Sequence, residues 1–146
     1  MRELKVAPQQ CVFCDRGLLT IRNVGAGLGI VIFAPQARRA AGLHLLRARP
    51  ASETVSSQTA YVSTAIPYAI AKLQRQGATP PYSVAVIGGG SMLPLGQSDH
   101  GDRMLQAAKE AFFMAEVPIK RQETGGAKVR SITLNIEHGK LRITEA

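Results

Sequence analysis

The chain has 146 residues, of which 45% are hydrophobic and 19% charged, and its net charge is +8 at pH 7. This size and composition predict one soluble globular domain that can bury a core without disulfides or a structural metal. No segment has the roughly 20 apolar residues of a membrane helix, and the first ten residues lack the apolar centre of a secretion signal. We therefore expect no membrane insertion and a cytoplasmic location.

The basic residues are scattered along the chain, and no run of five or more is present. Aromatic residues make up only 5%, so stacking on bases has little support and nucleic-acid binding is disfavoured. A positive field still favours acidic partners. An acidic protein surface is therefore the expected partner.

Short strands are predicted in the first 48 residues, where apolar and β-branched runs alternate with turn residues. The Arg-Gly pair at 16–17 is a candidate hairpin turn. Such a hairpin would place Cys14 opposite Leu19 and Cys11 opposite Arg22. The predicted strands span residues 4–7, 10–15, 18–23, 28–34 and 43–47.

The second half of the chain alternates between helices and strands. Ser57 is a candidate N-cap and Gly77 a candidate stop for the first helix, in which Pro67 should introduce a kink or mark the start of the regular part. Ser98 or Asp99 is the candidate cap of the second helix. The predicted helices span residues 57–77 and 98–117, and the predicted strands span 82–89, 131–136 and 140–144.

This order of strands, helix, strand, helix and strands predicts an α+β or α/β fold. We expect a single-domain layered sandwich of mainly antiparallel sheet, with two main helices and one core. No internal repeat, low-complexity tract or linker divides the chain.

Three glycines in five residues open the stretch "GAGLGIVIFAP", at Gly25, Gly27 and Gly29. A dinucleotide fingerprint needs a helix after its glycines, because the helix N-terminus holds the pyrophosphate, and a strand follows here. Two interpretations remain. The glycines permit a tight turn between closely approaching segments, or the loop once placed a reactive side chain beside His44 as general base.

Several motifs in consistent order resemble the CheD family of chemoreceptor glutamine deamidases. They are "VGAGLGIVIFAP", "AAGLHLL", "YVSTAIPYAIAKLQRQGA", "VAVIGGGSML", "HGDR" and "ETGGAKVR", and the similarity covers residues 4–143. The resemblance implies an α/β sandwich in which residues 1–146 form one CheD-like domain. It also implies a thiol, activated by a histidine, that hydrolyses the side-chain amide of receptor glutamines.

The resemblance assigns roles to individual positions of this chain. Gly27 matches the nucleophile, and Ala26 matches the serine before it. His44 matches the general base. Ile21 stands where the family has a threonine. Backbone N–H groups of the turn at Gly25 and Ala26 would stabilise an oxyanion. Since glycine has no side chain, the chain cannot form an acyl-enzyme by this route.

A threonine next to Ile21 and the two cysteines leave alternatives open. Thr20 is adjacent to Ile21. Cys11 and Cys14 are favoured as small apolar residues of a strand. They could also supply a relocated nucleophile, a redox pair, or half of a zinc site completed by His44, His100 or His138. No metal site and no cofactor are predicted.

The preferred hypothesis is a CheD-like protein that has lost its nucleophile and acts as a binding or regulatory module. The resemblance implies cytoplasmic helices of chemoreceptors, or a chemotaxis phosphatase, as partners. The alternative is an active protein-glutamine deamidase that uses Cys11 or Cys14 together with His44. A third hypothesis, a nucleic-acid binder, rests on charge alone.

Overall fold

A computed structural model describes residues 2–51, 57–90 and 100–145 of the chain. Within these ranges the chain forms nine strands, two α-helices and a 3-10 helix at Gln58–Ala60. The strands are β1 (Glu3–Lys5), β2 (Cys11–Cys14), β3 (Leu18–Val24), β4 (Leu28–Ala34), β5 (Arg39–Leu45), β6 (Ser83–Gly88), β7 (Arg121–Thr124), β8 (Arg130–Asn135) and β9 (Lys140–Glu145). The helices are α1 (Val62–Arg75) and α2 (His100–Met114).

The strands form two sheets. One has four strands in the order β1-β3-β8-β9, and the other has five in the order β2-β5-β4-β6-β7. Neighbours pair in parallel only for β1 with β3 and for β6 with β7, and the remaining pairs are antiparallel. The α+β prediction of a mainly antiparallel sandwich with two main helices is confirmed.

The five-stranded sheet is the middle of three layers. Ile30 and Ile32 of β4 join a buried cluster with α1 and α2, and Val31 and Phe33 join a second cluster with the four-stranded sheet. All seven residues of β4 are buried. An apolar run without alternation is typical of a strand covered on both faces, and this explains the sequence of β4.

The predicted hairpin at residues 16–17 is wrong, because β2 and β3 belong to different sheets. Cys14 pairs with Ala40 of β5, and Leu19 pairs with Leu134 of β8. Gly17 has a φ of +81°, and the amide N–H of Leu18 donates to the carbonyl oxygen of Arg2 at 2.8 Å. The chain thus crosses from one sheet to the other at Gly17.

The first helix begins later than predicted. Tyr61 is its N-cap, and Ser57 precedes the 3-10 helix without a capping side-chain bond. Pro67 is the sixth residue of α1, so it does not start the regular part of the helix. The predicted caps Ser98 and Asp99 of the second helix lie outside the described residues.

One strand was missed by the sequence analysis. β7 pairs in parallel with β6 at the edge of the five-stranded sheet. Its sequence, RQET, is polar and only partly buried, so it lacks the apolar pattern that predicts a strand. The predicted strands 131–136 and 140–144 correspond to β8 and β9.

Candidate functional site

The glycine loop between β3 and β4 lies against two other loops. The amide of Gly89 donates to the carbonyl of Gly27 at 2.7 Å, and the amide of Gly90 donates to the carbonyl of Gly25 at 2.9 Å. The amide of Gly125 donates to the carbonyl of Gly88 at 3.0 Å. We call these six glycines the glycine junction. A Cβ atom at Gly88 would lie 2.2 Å from the carbonyl oxygen of Gly27, so this glycine has a packing role in the junction.

Gly27, which the sequence resemblance assigns to the position of the nucleophile, is buried and has no room for a side chain. A Cβ atom at this position would lie 2.4 Å from the carbonyl oxygen of Leu45 and 3.0 Å from Cδ2 of Leu46. At Gly25, by contrast, a Cβ atom would have no neighbour within 4 Å. Ala26 is exposed at the tip of the loop. The backbone around residue 27 would have to shift before a thiol could be placed there.

His44 lies on β5, opposite Gly29 of β4. The ring faces the layer between the two sheets, because a Cβ atom at Gly29 would contact Ile21, Val24 and Ile87 there. His44 is 4% exposed, and its Nδ1 has no hydrogen-bond partner among the described residues. Burial lowers the pKa of His44, and a hydrogen bond to the backbone of Val6 opposes this. Burial therefore favours the neutral form of the imidazole, and no side chain among the described residues hydrogen-bonds its Nδ1.

Ile21, which the sequence resemblance aligns with the family's threonine, carries no hydroxyl. Ile21 is fully buried and faces the same layer as His44. Thr20 points to the outer face of the four-stranded sheet, where its hydroxyl donates to Glu3 at 2.9 Å. Because adjacent strand residues face opposite sides of a sheet, Thr20 does not replace Ile21 in this role.

The two cysteines lie on opposite faces of the five-stranded sheet. Cys11 packs against the cluster that contains the helices, and Cys14 packs in the cluster between the sheets. They are three positions apart on one strand, and side chains separated by an odd number of positions point to opposite faces of the sheet. Burial raises the pKa of Cys11 to about 12 and that of Cys14 to about 11. Both thiols are therefore protonated at neutral pH, which is the opposite of an activated nucleophile.

Neither cysteine is placed to react with His44. Cys11 pairs with Leu43 and so lies on the helix-facing side of β5, whereas His44 faces the other side. Cys14 shares the face of His44 but pairs with Ala40, four positions away on β5. Four strand residues span about 13 Å, and a nucleophile must approach its base to about 3 Å.

The remaining histidines have local hydrogen-bonding roles. Nε2 of His100 lies 2.8 Å from the carbonyl oxygen of Leu46, and the amide of His138 donates to the side chain of Asn135 at 3.2 Å. Among the described residues, no three His, Cys, Asp or Glu side chains are grouped so that they could hold a metal ion.

Arg130 is a buried charge that the sequence analysis did not select. It is 7% exposed, and its Nη1 donates to the carbonyl of Gly88 at 3.4 Å. Its Nε lies 3.5 Å from a carboxylate oxygen of Glu145 but makes no hydrogen bond within the described part of the chain. The Gly-Gly turn that ends four positions before Arg130, in "ETGGAKVR", is the signal that could have identified it. Arg130, on β8, therefore contacts the glycine junction through the carbonyl of Gly88.

A basic cavity of about 410 Å³ lies beside the end of β5. We call it the arginine pocket, and it is lined by Arg47, Ala48, Arg49, Ala51, Tyr61, His100 and Arg103. None of these lining residues is acidic. Leu46 joins the pocket to the glycine junction, because it contacts the Cβ position of Gly27 and accepts the bond of His100. The fold thus gathers basic residues that are scattered in the sequence.

A comparison with protein families matches residues 46–145 to a family described as CheD chemotactic sensory transduction. A probable chemoreceptor glutamine deamidase CheD of Caldanaerobacter subterraneus subsp. tengcongensis is 27% identical over 135 residues, which cover 87% of this chain and 82% of that protein. Another probable deamidase of this name, from Geobacter metallireducens, is 28% identical and covers 88% of this chain and 83% of its own length.

The chemoreceptor glutamine deamidase CheD of Thermotoga maritima is 24% identical over 136 residues, which cover 92% of this chain and 86% of that protein. The similarity to these relatives therefore extends over most of the chain, including strands that precede residue 46. No helix in the described part of the chain is long and apolar enough to span a membrane.

Proposed function

Since the chain belongs to the CheD family, we propose that it is a binding or regulatory module of a chemotaxis system without deamidase activity. Its relatives are named for the deamidation of chemoreceptor glutamines. Amide hydrolysis by a thiol enzyme requires a thiolate that attacks the amide carbon and a base that transfers the proton to the leaving ammonia. The proposal is that this chain retains the scaffold and lacks the first of these groups.

The closure at Gly27 is the observation that carries the proposal. The residue that matches the nucleophile has no side chain, and the carbonyl of Leu45 occupies the space that a side chain would need. The carbonyl oxygen of Gly27 is also held by the amide of Gly89. This close packing around Gly27 supports the proposal that no nucleophile acts from this position.

The alternative, deamidation by a relocated thiol, has less support. It needs Cys11 or Cys14 within about 3 Å of the imidazole of His44. Cys11 lies on the other face of the sheet, and Cys14 pairs four positions away along β5. Both thiols also have a raised pKa, so the attacking thiolate is rare at neutral pH.

The proposed partners are cytoplasmic helices of chemoreceptors or a chemotaxis phosphatase. The net charge of +8 favours partners with an acidic surface. Such partners would place the protein in the cytoplasm.

Ammonia release from glutamine-bearing receptor helices tests the proposal, with an active CheD relative as the positive control. We expect no turnover from the wild-type chain. Gly27→Cys should also show none, because the new side chain clashes with the backbone of Leu45. Turnover by the wild type that His44→Ala abolishes would refute the proposal and favour the deamidase alternative.

A further inference from the structure

An apolar groove lies between the two helices and meets the arginine pocket. It encloses about 350 Å³, and we call it the helix groove. Arg49 lines both cavities, so the two adjoin at this side chain. The helix groove is lined by Arg49, Ser63, Pro67, Ala107, Glu110, Ala111, Met114 and Ala115.

The floor of the helix groove is made of small side chains. Ala107, Ala111 and Ala115 follow one another at four-residue intervals, and Ser63 and Pro67 face them from α1. Small residues at this spacing let another helix approach closely along the row. The distance along α2 from Arg103 to Ala115 is about 18 Å, or a little over three turns of a helix.

The far end of the helix groove is strongly apolar. Phe113 and Met114 are 81% and 80% exposed, and Met114 also lines a neighbouring surface cavity with Val117 and Pro118. Large apolar side chains are seldom exposed together on a soluble protein unless they contact a partner. This end of the surface therefore favours an apolar segment.

The other end of the surface is positive. Arg47, Arg49 and Arg103 all line the arginine pocket. Glu110 of α2 is ion-paired with Arg49 and partly offsets its charge, and Asp102 lies on the first turn of α2. The three arginines still give the lining of this cavity an excess of positive charge, and guanidinium groups bind carboxylates in a bidentate manner.

We propose that the helix groove and the arginine pocket together bind one amphipathic helix of a partner protein, with an acidic side chain of that helix in the arginine pocket. The inference rests on the proposed function and names the chemistry of its partner. The apolar helix groove beside the arginine pocket favours a protein helix over a nucleic acid, because a phosphate backbone has no apolar face to fill the groove. The pocket adjoins the glycine junction through Leu46. This chain would therefore bind a glutamate side chain of its partner near the place where a deamidase binds glutamine.

Fluorescence anisotropy with labelled peptides tests this inference. The probe is a helical amphipathic peptide of about 20 residues with glutamates at one end, and its matched control carries glutamines at those positions. We expect the glutamate peptide to bind about tenfold more tightly, because only its carboxylates pair with the guanidinium groups.

Three variants locate the binding site. Arg47→Glu should weaken binding of the glutamate peptide about tenfold or more. Arg142→Glu makes the same change in net charge on β9, in the sheet opposite the helices, and should change affinity by less than about twofold. Ala111→Leu fills the helix groove and should weaken binding of both peptides. Thermal unfolding of each variant checks that it is folded.

Three results would overturn the inference. They are equal affinity for the two peptides, an equal loss in Arg47→Glu and Arg142→Glu, or displacement of the peptide by inorganic phosphate or duplex DNA at lower concentration than by unlabelled peptide. Ammonia release from the glutamine peptide would instead refute the proposed function. The two failures are therefore distinguishable in one set of samples.

Discussion

Gly25 and Gly27 stand two positions apart in one loop, yet only Gly25 has room for a side chain. A Cβ atom at Gly27 would lie 2.4 Å from the Leu45 carbonyl oxygen, whereas a Cβ atom at Gly25 would have no neighbour within 4 Å. The sequence shows two equivalent glycines. The space for a side chain differs because the end of β5 lies against Gly27 and not against Gly25.

This difference predicts opposite outcomes for the two alanine substitutions. Gly27→Ala should lower the free energy of unfolding by about 1–3 kcal/mol, because the backbone must shift to admit the methyl group. Gly25→Ala should change it by less than about 0.5 kcal/mol, since the site is open. Urea unfolding of the two variants measures both values. A Gly27→Ala protein as stable as the wild type would contradict the closure at this position.

His44 predicts a pH dependence of stability. Burial lowers its pKa in the folded state, so the unfolded chain binds a proton more readily. The contribution of neutral His44 is therefore fully present above the unfolded value near 6.5, and it is lost as the pH falls below that value towards the folded pKa.

We expect the urea midpoint of the wild type to fall between pH 6.5 and 5, and His44→Gln to flatten this slope. The window lies above the range where carboxylates titrate, so the histidine effect is isolated. His138→Gln, at an exposed turn between β8 and β9, is the matched control and should keep the wild-type slope. An unchanged slope in His44→Gln would show that His44 is not the group responsible.

At the scale of elements, α1 is stabilised by its packing more than by its own sequence. Its buried residues recur at the spacing of one helix face, at Val62, Ile66, Ala69 and Leu73. Pro67 lies within this helix and has no N–H to donate to the carbonyl of Ser63, four positions earlier. The contacts of the apolar face compensate for that missing bond.

Pro67→Ala should therefore raise the free energy of unfolding by about 1–3 kcal/mol, because the missing helix bond is restored at an exposed position. Thermal and urea unfolding both measure this change. Ala71→Pro, one turn later, provides the opposite control and should destabilise the protein by a similar amount or more. A Pro67→Ala variant less stable than the wild type would mean that the proline ring makes a contact worth more than the restored bond.

At the scale of the whole molecule, the two sheets depend on strands from both halves of the chain. β4 and β5 from the first half form the centre of the five-stranded sheet, and β6 from the second half pairs with β4. β3 likewise lies between β1 and β8 in the other sheet. The family match begins at residue 46, directly after β5, so its boundary does not delimit a folding unit.

A fragment of residues 46–146 should therefore not fold alone. It loses five of the nine strands in the described part of the chain, and these include three of the five strands of the middle layer that covers both helices. We expect no cooperative urea transition by circular dichroism and a proton spectrum with little dispersion. A cooperative transition from this fragment would contradict the three-layer core.

The sequence by itself predicted the elements with strong local patterns, and it carries the proposal that residue 27 provides no nucleophile. β4, β8, β9 and the buried face of α1 follow from runs and periodicities of apolar residues, which act over a few positions. The sequence was sufficient to predict the fold class and the family for the same reason, since both predictions rest on the order of such segments. The identity of residue 27 shows that it has no side chain, and its match to the position of the nucleophile stays a prediction from the resemblance.

The tertiary structure alone decided which segments become neighbours. It separated β2 from β3 at Gly17, assigned β7 to a sheet edge, and placed Cys11 and Cys14 on opposite faces. It also brought Leu45 against Gly27 and gathered Arg47, Arg49 and Arg103 around one pocket. These outcomes depend on contacts between residues far apart in the chain, and the free energy of such contacts is set by how whole layers pack.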